Sequence, residues 1–202
     1  MPPEHPPVAI APPPRARAPL GRAGVSMAEV LVVLTIIGIA LSIGAPRVNL
    51  SPSRTEAAVQ SVASTLMAAQ RAAVVRQHNV VVAFDATQGL VRVHMDPNNN
   101  GTIDAGEQVT SEPLGRNMTY GRGGAAVLTQ LGTANVSFTA RQGGLPAVTF
   151  NRGGSASEEG GAYLTSTVGV AAQRPSRAVI VDRATGRTAV WKYVAPTWQR
   201  KF

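Results

Sequence analysis

The sequence predicts an α+β fold: a long N-terminal helix, with a transmembrane half and an amphipathic half, packed on an antiparallel β-sheet domain. Three observations lead there. Residues 30–45 form an uncharged apolar run, VLVVLTIIGIALSIGA. Residues 53–77 carry apolar side chains at spacings of three and four. Beyond Asn79, short β-prone runs are separated by glycine, asparagine and proline.

Composition narrows the choice of class. A chain of 202 residues has room for one ordinary domain and a targeting segment. Charged residues make up only 15%, low for a cytosolic protein, and a membrane segment explains that skew. The absence of cysteine excludes disulfide frameworks, thiolate zinc sites and cysteine nucleophiles. The net charge of +8, carried almost wholly by arginine, suits nucleic acid, anionic lipid or acidic partners without choosing among them.

Residues 1–24 are read as a cleaved leader. Positions 2–20, rich in proline and alanine, show no helical or strand period and cannot bury enough apolar surface to order themselves. The leader holds Arg15, Arg17 and Arg22 against Glu4, so its removal takes the net charge from +8 to +6. These arginines precede the apolar run, and the positive-inside rule then predicts a cytoplasmic N-terminus.

Residues 25–46 are the transmembrane and assembly helix, long enough at roughly 33 Å to cross a bilayer. Its anomaly is Glu29, near the N-terminal end of the run. An ionised carboxylate in lipid costs several kcal/mol by most estimates and calls for a partner. Cleavage before Val25 creates one, a new α-amine four positions away, with Glu29 the fifth residue of the cleaved chain, within one subunit or between neighbours. The ion pair then acts as a register device for assembly. The alternative is a plain anchor with a stray glutamate.

Residues 47–78 are the amphipathic second half of the helix. After a weak point at 49–52, Val59, Val62, Ala63, Leu66, Ala69 or Gln70, and Ala73 make one apolar stripe, with Arg54, Arg71 and Arg76 on the solvated side. Residues 79–202 are the β-rich domain. Strands are predicted at 80–84, 90–94, 108–111, 136–139, 147–150, 162–165, 178–181 and 188–193. The glycine-rich stretches 121–124, 143–144 and 153–161 are predicted as surface loops of low order.

Arg22-Ala23-Gly24 followed by Val25-Ser26-Met27-Ala28-Glu29 resembles the prepilin processing motif of type IV pilin-like proteins, with Val25 in place of its phenylalanine and Ala23 between arginine and glycine. The resemblance implies cleavage between Gly24 and Val25 by a prepilin peptidase and N-methylation of Val25. Pro46 matches the proline that often kinks pilin helices. The stretches AAQRAAVVRQHNVVVAFD from Ala68 and DPNNNGTIDAGEQV from Asp96, the turn at 148–154, and 177–187 with Thr185-Gly186-Arg187 resemble the GspH/FimT type.

That likeness implies two small antiparallel sheets behind the helix. It also implies a minor pseudopilin of a type II secretion pseudopilus, single-pass in the inner membrane with a periplasmic domain, assembled with other pseudopilins or pilins through its N-terminal helix. The alternative is a FimT-type minor pilin that binds DNA during uptake.

Two further sites are candidates. Residues 96–107 fit the calcium loop D-x-[DN]-x-[DN]-G-x5-E, with ligands from Asp96, Asn98, Asn100, the Thr102 carbonyl, Asp104 and a bidentate Glu107, and Gly101 at the sharp turn. The other reading is a polar connection between strands. In the tail, Arg187, Lys192, Arg200 and Lys201 stand among Trp191, Tyr193 and Trp198, a mixture able to grip phosphates and stack bases; alternatively the aromatics cover the sheet. His78 and His94 lack ligand spacing. No nucleophile-elbow, Walker or HExxH motif is present, so an enzyme is not expected and no cofactor is required.

Overall fold

The computed structural model describes residues 24–44 and 50–201, except the side chains of residues 41, 43 and 44. The leader up to residue 23, and Pro46 with its expected kink, lie outside the described residues. The chain divides into two compact units, Met1–Val48 and Asn49–Phe202, each taken by itself.

In the first unit, helix α1 spans Met27–Gly44. It opens with a cap, Ser26 Oγ accepting the Ala28 N–H at 3.2 Å. At 1.5 Å per residue its 18 residues reach roughly 27 Å. Among the described residues no helix is long and apolar enough to cross a membrane; the end of the expected span falls on residues 45 and 46, outside them.

The second unit begins with helix α2, Ser51–Arg76. Pro52 occupies its first turn, where a missing N–H costs nothing, and Gln77 ends it in the left-handed region at φ 58°. The predicted stripe is what it buries: Val59, Val62, Ala63, Leu66, Ala69 and Ala73, with Ala58 and Thr55 beside them. Arg54, Arg71 and Arg76 are exposed, as expected.

Ten strands follow in two antiparallel five-stranded sheets. The first holds β1 (Asn79–Asp85), β2 (Leu90–Asp96), β3 (Val109–Pro113), β5 (Arg141–Gln142) and β6 (Leu145–Phe150), ordered β3-β2-β1-β6-β5. The second holds β4 (Met118–Tyr120), β7 (Gly160–Ser166), β8 (Ser176–Val181), β9 (Thr188–Val194) and β10 (Thr197–Arg200), ordered β10-β9-β8-β7-β4. Both sheets contribute to the core under α2: Val80, Val82 and Phe84 of β1, Leu164 of β7, and Val179 and Val181 of β8 join the helix stripe there. The outer face of the second sheet has its own cluster, where Leu128 and Leu131 of the β4–β5 connection cover Tyr163, Ala178 and Ile180. Central strands covered on both faces read as near-continuous apolar runs, as β1 does.

Two expectations are corrected. Residues 136–139 do not form a strand; only Val136 bridges, to Ala162. Here Ser137 Oγ accepts the Gly161 N–H at 2.9 Å, so a side chain takes the place of a ladder bond, while Phe138 drops into the core against Phe84. Nor is 153–161 a loose loop throughout. Gly160 and Gly161 are buried in β7, and a Cβ on Gly161 would lie 1.9 Å from the Val179 carbonyl oxygen. Glycine is there for close approach between strands.

Candidate functional site

Gly24 and Val25 are exposed, and a Cβ on Gly24 would meet nothing within 4 Å. The bond between them lies at the exposed N-terminal end of the described residues. Glu29 sits in the first turn of α1, where the positive end of the helix dipole favours a carboxylate. Ser26 and Glu29 stand at the spacing of a capping box, a signal present in the sequence. Beyond this turn, Val30 to Leu34, Ile36, Ile37 and Ile39 are all exposed. A helix apolar on every side belongs in a membrane or among other helices.

The loop after β2 closes on itself. Asp96 is fully buried and accepts the backbone N–H groups of Asn100 at 3.1 Å and Gly101 at 2.8 Å. Asp104 accepts the side-chain amides of Asn98 and Asn100, which hold its carboxyl below the usual carboxylate range. Thr102 donates to Asn100. Glu107 Oε2 takes the Asp104 N–H at 2.9 Å and lies 2.7 Å from Nε2 of the buried His94. Gln142 Nε2 donates to His94 Nδ1, so the ring proton is on Nε2 and points at Glu107. A cation at this loop has to displace the bonds to Asp104 and Glu107. Among the described residues no group of three or more His, Cys, Asp or Glu side chains is arranged to hold a metal.

The four basic tail residues separate. Arg187 and Arg200 line one groove of about 350 Å³ on the outer face of the second sheet, floored by Ile180 and Trp191, with Glu159 and Asp182 also on its walls. Lys192 alternates with Trp191 along β9 and faces the other way. Lys201 Nζ reaches Glu56 of α2 at 2.7 Å. Trp198 stacks obliquely between Tyr163 and Tyr193 and donates its Nε1 proton to the Ala126 carbonyl, so it is a covering residue.

Two residues have roles that the sequence does not mark: Glu56, and Gln70, expected only as an alternative to Ala69 in the stripe. Glu56 binds both Lys201 and the buried Arg177, at 2.7 Å each, and fixes α2 to β8 and to the chain's last residues. Gln70, at the edge of the stripe, bridges the turn after β6 and the turn after β8. Neither role has a local signal: the partners that give it, Arg177 and Lys201 for Glu56 and Gly154 and Thr185 for Gln70, lie more than 80 positions away.

A family model described as type II transport protein GspH matches residues 58–185. Among solved structures, the minor pseudopilin EpsH from the type 2 secretion system of Vibrio cholerae is similar, with 12% identity, coverage of 73% of this chain and 94% of that one, and a TM-score of 0.34. No curated protein matches.

Proposed function

Because the chain belongs to the GspH family of type II transport proteins, we propose that it is a minor pseudopilin of a type II secretion system, a structural subunit rather than an enzyme, built into a filament through its N-terminal helix. One observation carries the reading: a helix with exposed apolar side chains all round, whose single charge, Glu29, lies one turn from the Gly24–Val25 bond. In this reading residues 1–24 are the leader, 25–46 the membrane and assembly helix, 47–78 the amphipathic helix and 79–202 the periplasmic domain. The precursor is held in the inner membrane. Prepilin peptidase cleaves after Gly24 and N-methylates Val25, and the new amine offsets Glu29 of the same or a neighbouring subunit.

Mass spectrometry of the mature protein tests this. A first residue of N-methylated Val25 is expected, and a chain beginning elsewhere overturns the assembly scheme.

A second reading, a FimT-type minor pilin that captures DNA, is favoured by the groove that brings Arg187 and Arg200 together over Trp191. Its phosphate contacts then come from these two residues, with Lys192 and Lys201 outside the site. Salt-dependent binding of duplex DNA that disappears in Arg187→Ala/Arg200→Ala and persists in Lys192→Ala is the expected result. Calcium is proposed for the loop at 96–107 on the strength of its oxygen donors and their spacing.

A further inference from the structure

The loops at the end of the second unit where α2 begins carry arginines and exposed valines but little free negative charge. Arg54 of α2 and Arg116, after β3, line one groove of about 300 Å³ with Leu114 and Met118. The β7–β8 connection adjoins it, since the Thr167 N–H bonds the Asn117 carbonyl at 2.9 Å. The turn at 122–124 completes the surface: Ser176 Oγ donates to the Arg122 carbonyl at 2.6 Å, and a Cβ on Gly123 would lie 3.3 Å from Arg174 Cβ. Val168 and Val170 project from this connection, 50% and 68% exposed.

Of the carboxylates near this end, Glu56 pairs with Arg177 and Lys201 and Asp85 pairs with Arg92; Glu112 accepts the Thr65 hydroxyl at 2.6 Å and keeps its charge, one negative group against four arginines. Among the described residues, Arg54, Arg116, Arg122 and Arg174 have no ion-pair partner. Cations around projecting apolar side chains match a bilayer interface, where aliphatic groups enter the headgroup boundary and arginines meet anionic headgroups.

The order of the sequence agrees. α2 starts at Ser51, soon after the apolar helix ends at Gly44, so this is the end of the domain to which the anchor is joined. From these observations we infer that this basic, valine-tipped end docks on an anionic phospholipid surface and holds the domain against the bilayer before assembly. The inference rests on the proposed membrane anchoring of α1 and adds a second contact.

The chain lacks cysteine, so single labels can be placed in the full-length protein. An environment-sensitive fluorophore is attached to Val170→Cys, to Ile103→Cys in the loop after β2, and to Ile37→Cys within α1. Each protein is reconstituted in vesicles of phosphatidylcholine alone, or with about one-third phosphatidylglycerol. Docking predicts that the label at 170 shifts to the blue and is quenched by headgroup-region quenchers in the anionic vesicles at low salt. The shift should vanish in about 0.5 M salt, where the Debye length is only a few ångströms.

The label at 103 should stay water-exposed throughout. Arg54→Gln/Arg116→Gln, at two exposed positions, should lower the docked-to-undocked ratio about fivefold per arginine while leaving thermal unfolding unchanged. A label at 170 that behaves like the one at 103, or responds equally in both vesicle types, overturns docking. So does protection of 170 by duplex DNA without a response to anionic vesicles, which would make nucleic acid the occupant. The label at 37 separates the two readings: if it remains in water, the anchoring proposal fails; if it is buried while 170 is not, only docking fails.

Discussion

Gln70 Nε2 donates to the Gly154 carbonyl at 2.9 Å and to the Thr185 carbonyl at 2.6 Å. One α2 side chain thus joins two turns that belong to different sheets. Gly186 makes the approach possible: its φ is +63°, and a Cβ there would lie 2.2 Å from the Gly154 oxygen. Gln70→Ala leaves both carbonyls without this donor and should cost about 2 kcal/mol. Gly186→Ala should cost at least as much, through steric overlap and backbone strain. Urea unfolding of the two variants checks the order.

Gly161→Ala is expected to be worse than either. Its Cβ would overlap backbone of β8, which cannot give way without parting the β7–β8 pair. The expected outcome is loss of the cooperative unfolding transition, read by circular dichroism.

Glu56 makes acid stability predictable. Burial pushes its pKa up, but hydrogen bonds from Lys201 and Arg177 and the charge of Arg177 outweigh that, taking it from the ordinary 4.5 to about 2. A carboxylate depressed in the folded state contributes stability above pH about 4.5, and that contribution is lost as pH falls towards 2. Glu56→Gln should therefore flatten the stability profile between these values. At neutral pH it should cost about 3 kcal/mol, because Arg177, only 4% exposed, loses its counter-charge. Thermal melts from pH 7 to 2 on both proteins test the sign and the window.

For assembly, Glu29→Ala should insert into the membrane normally yet enter filaments at a small fraction of the wild-type level. Gly24→Ala should leave an uncut precursor. Immunoblots of sheared filaments and membrane fractions distinguish the two defects, and normal incorporation of Glu29→Ala would sink the pairing.

Calcium at the loop should release heat on titration and raise the melting temperature, with Glu107→Gln abolishing both. Only three carboxylates are available, so the affinity should be modest. A flat titration of the intact protein would dismiss the site.

Much of this architecture is legible in the residues. The stripe from Val59 to Ala73 names its buried face because a 3.6-residue period survives whatever packs on it. The β-branched runs at 80–84 and 178–181 announce central strands in the same way. What escaped was short, polar or dependent on distant partners. β5 is two residues long, although Gly143-Gly144, with φ of 56° and 82°, is a recognisable hairpin turn before β6. β10, Thr197–Arg200, takes its form from pairing with β9, a partner that local propensity does not reveal. Of the sites, Ser26 was readable as a cap, whereas Gln70 and Glu56 acquire meaning only when residues far along the chain are brought to them.

The outward-turned valines, leucines and isoleucines of α1 have a practical corollary. In plain buffer the intact polypeptide should self-associate through these surfaces. Detergent, lipid or companion helices should therefore be needed through purification, and a sample that stays monodisperse without them is expected to have lost α1.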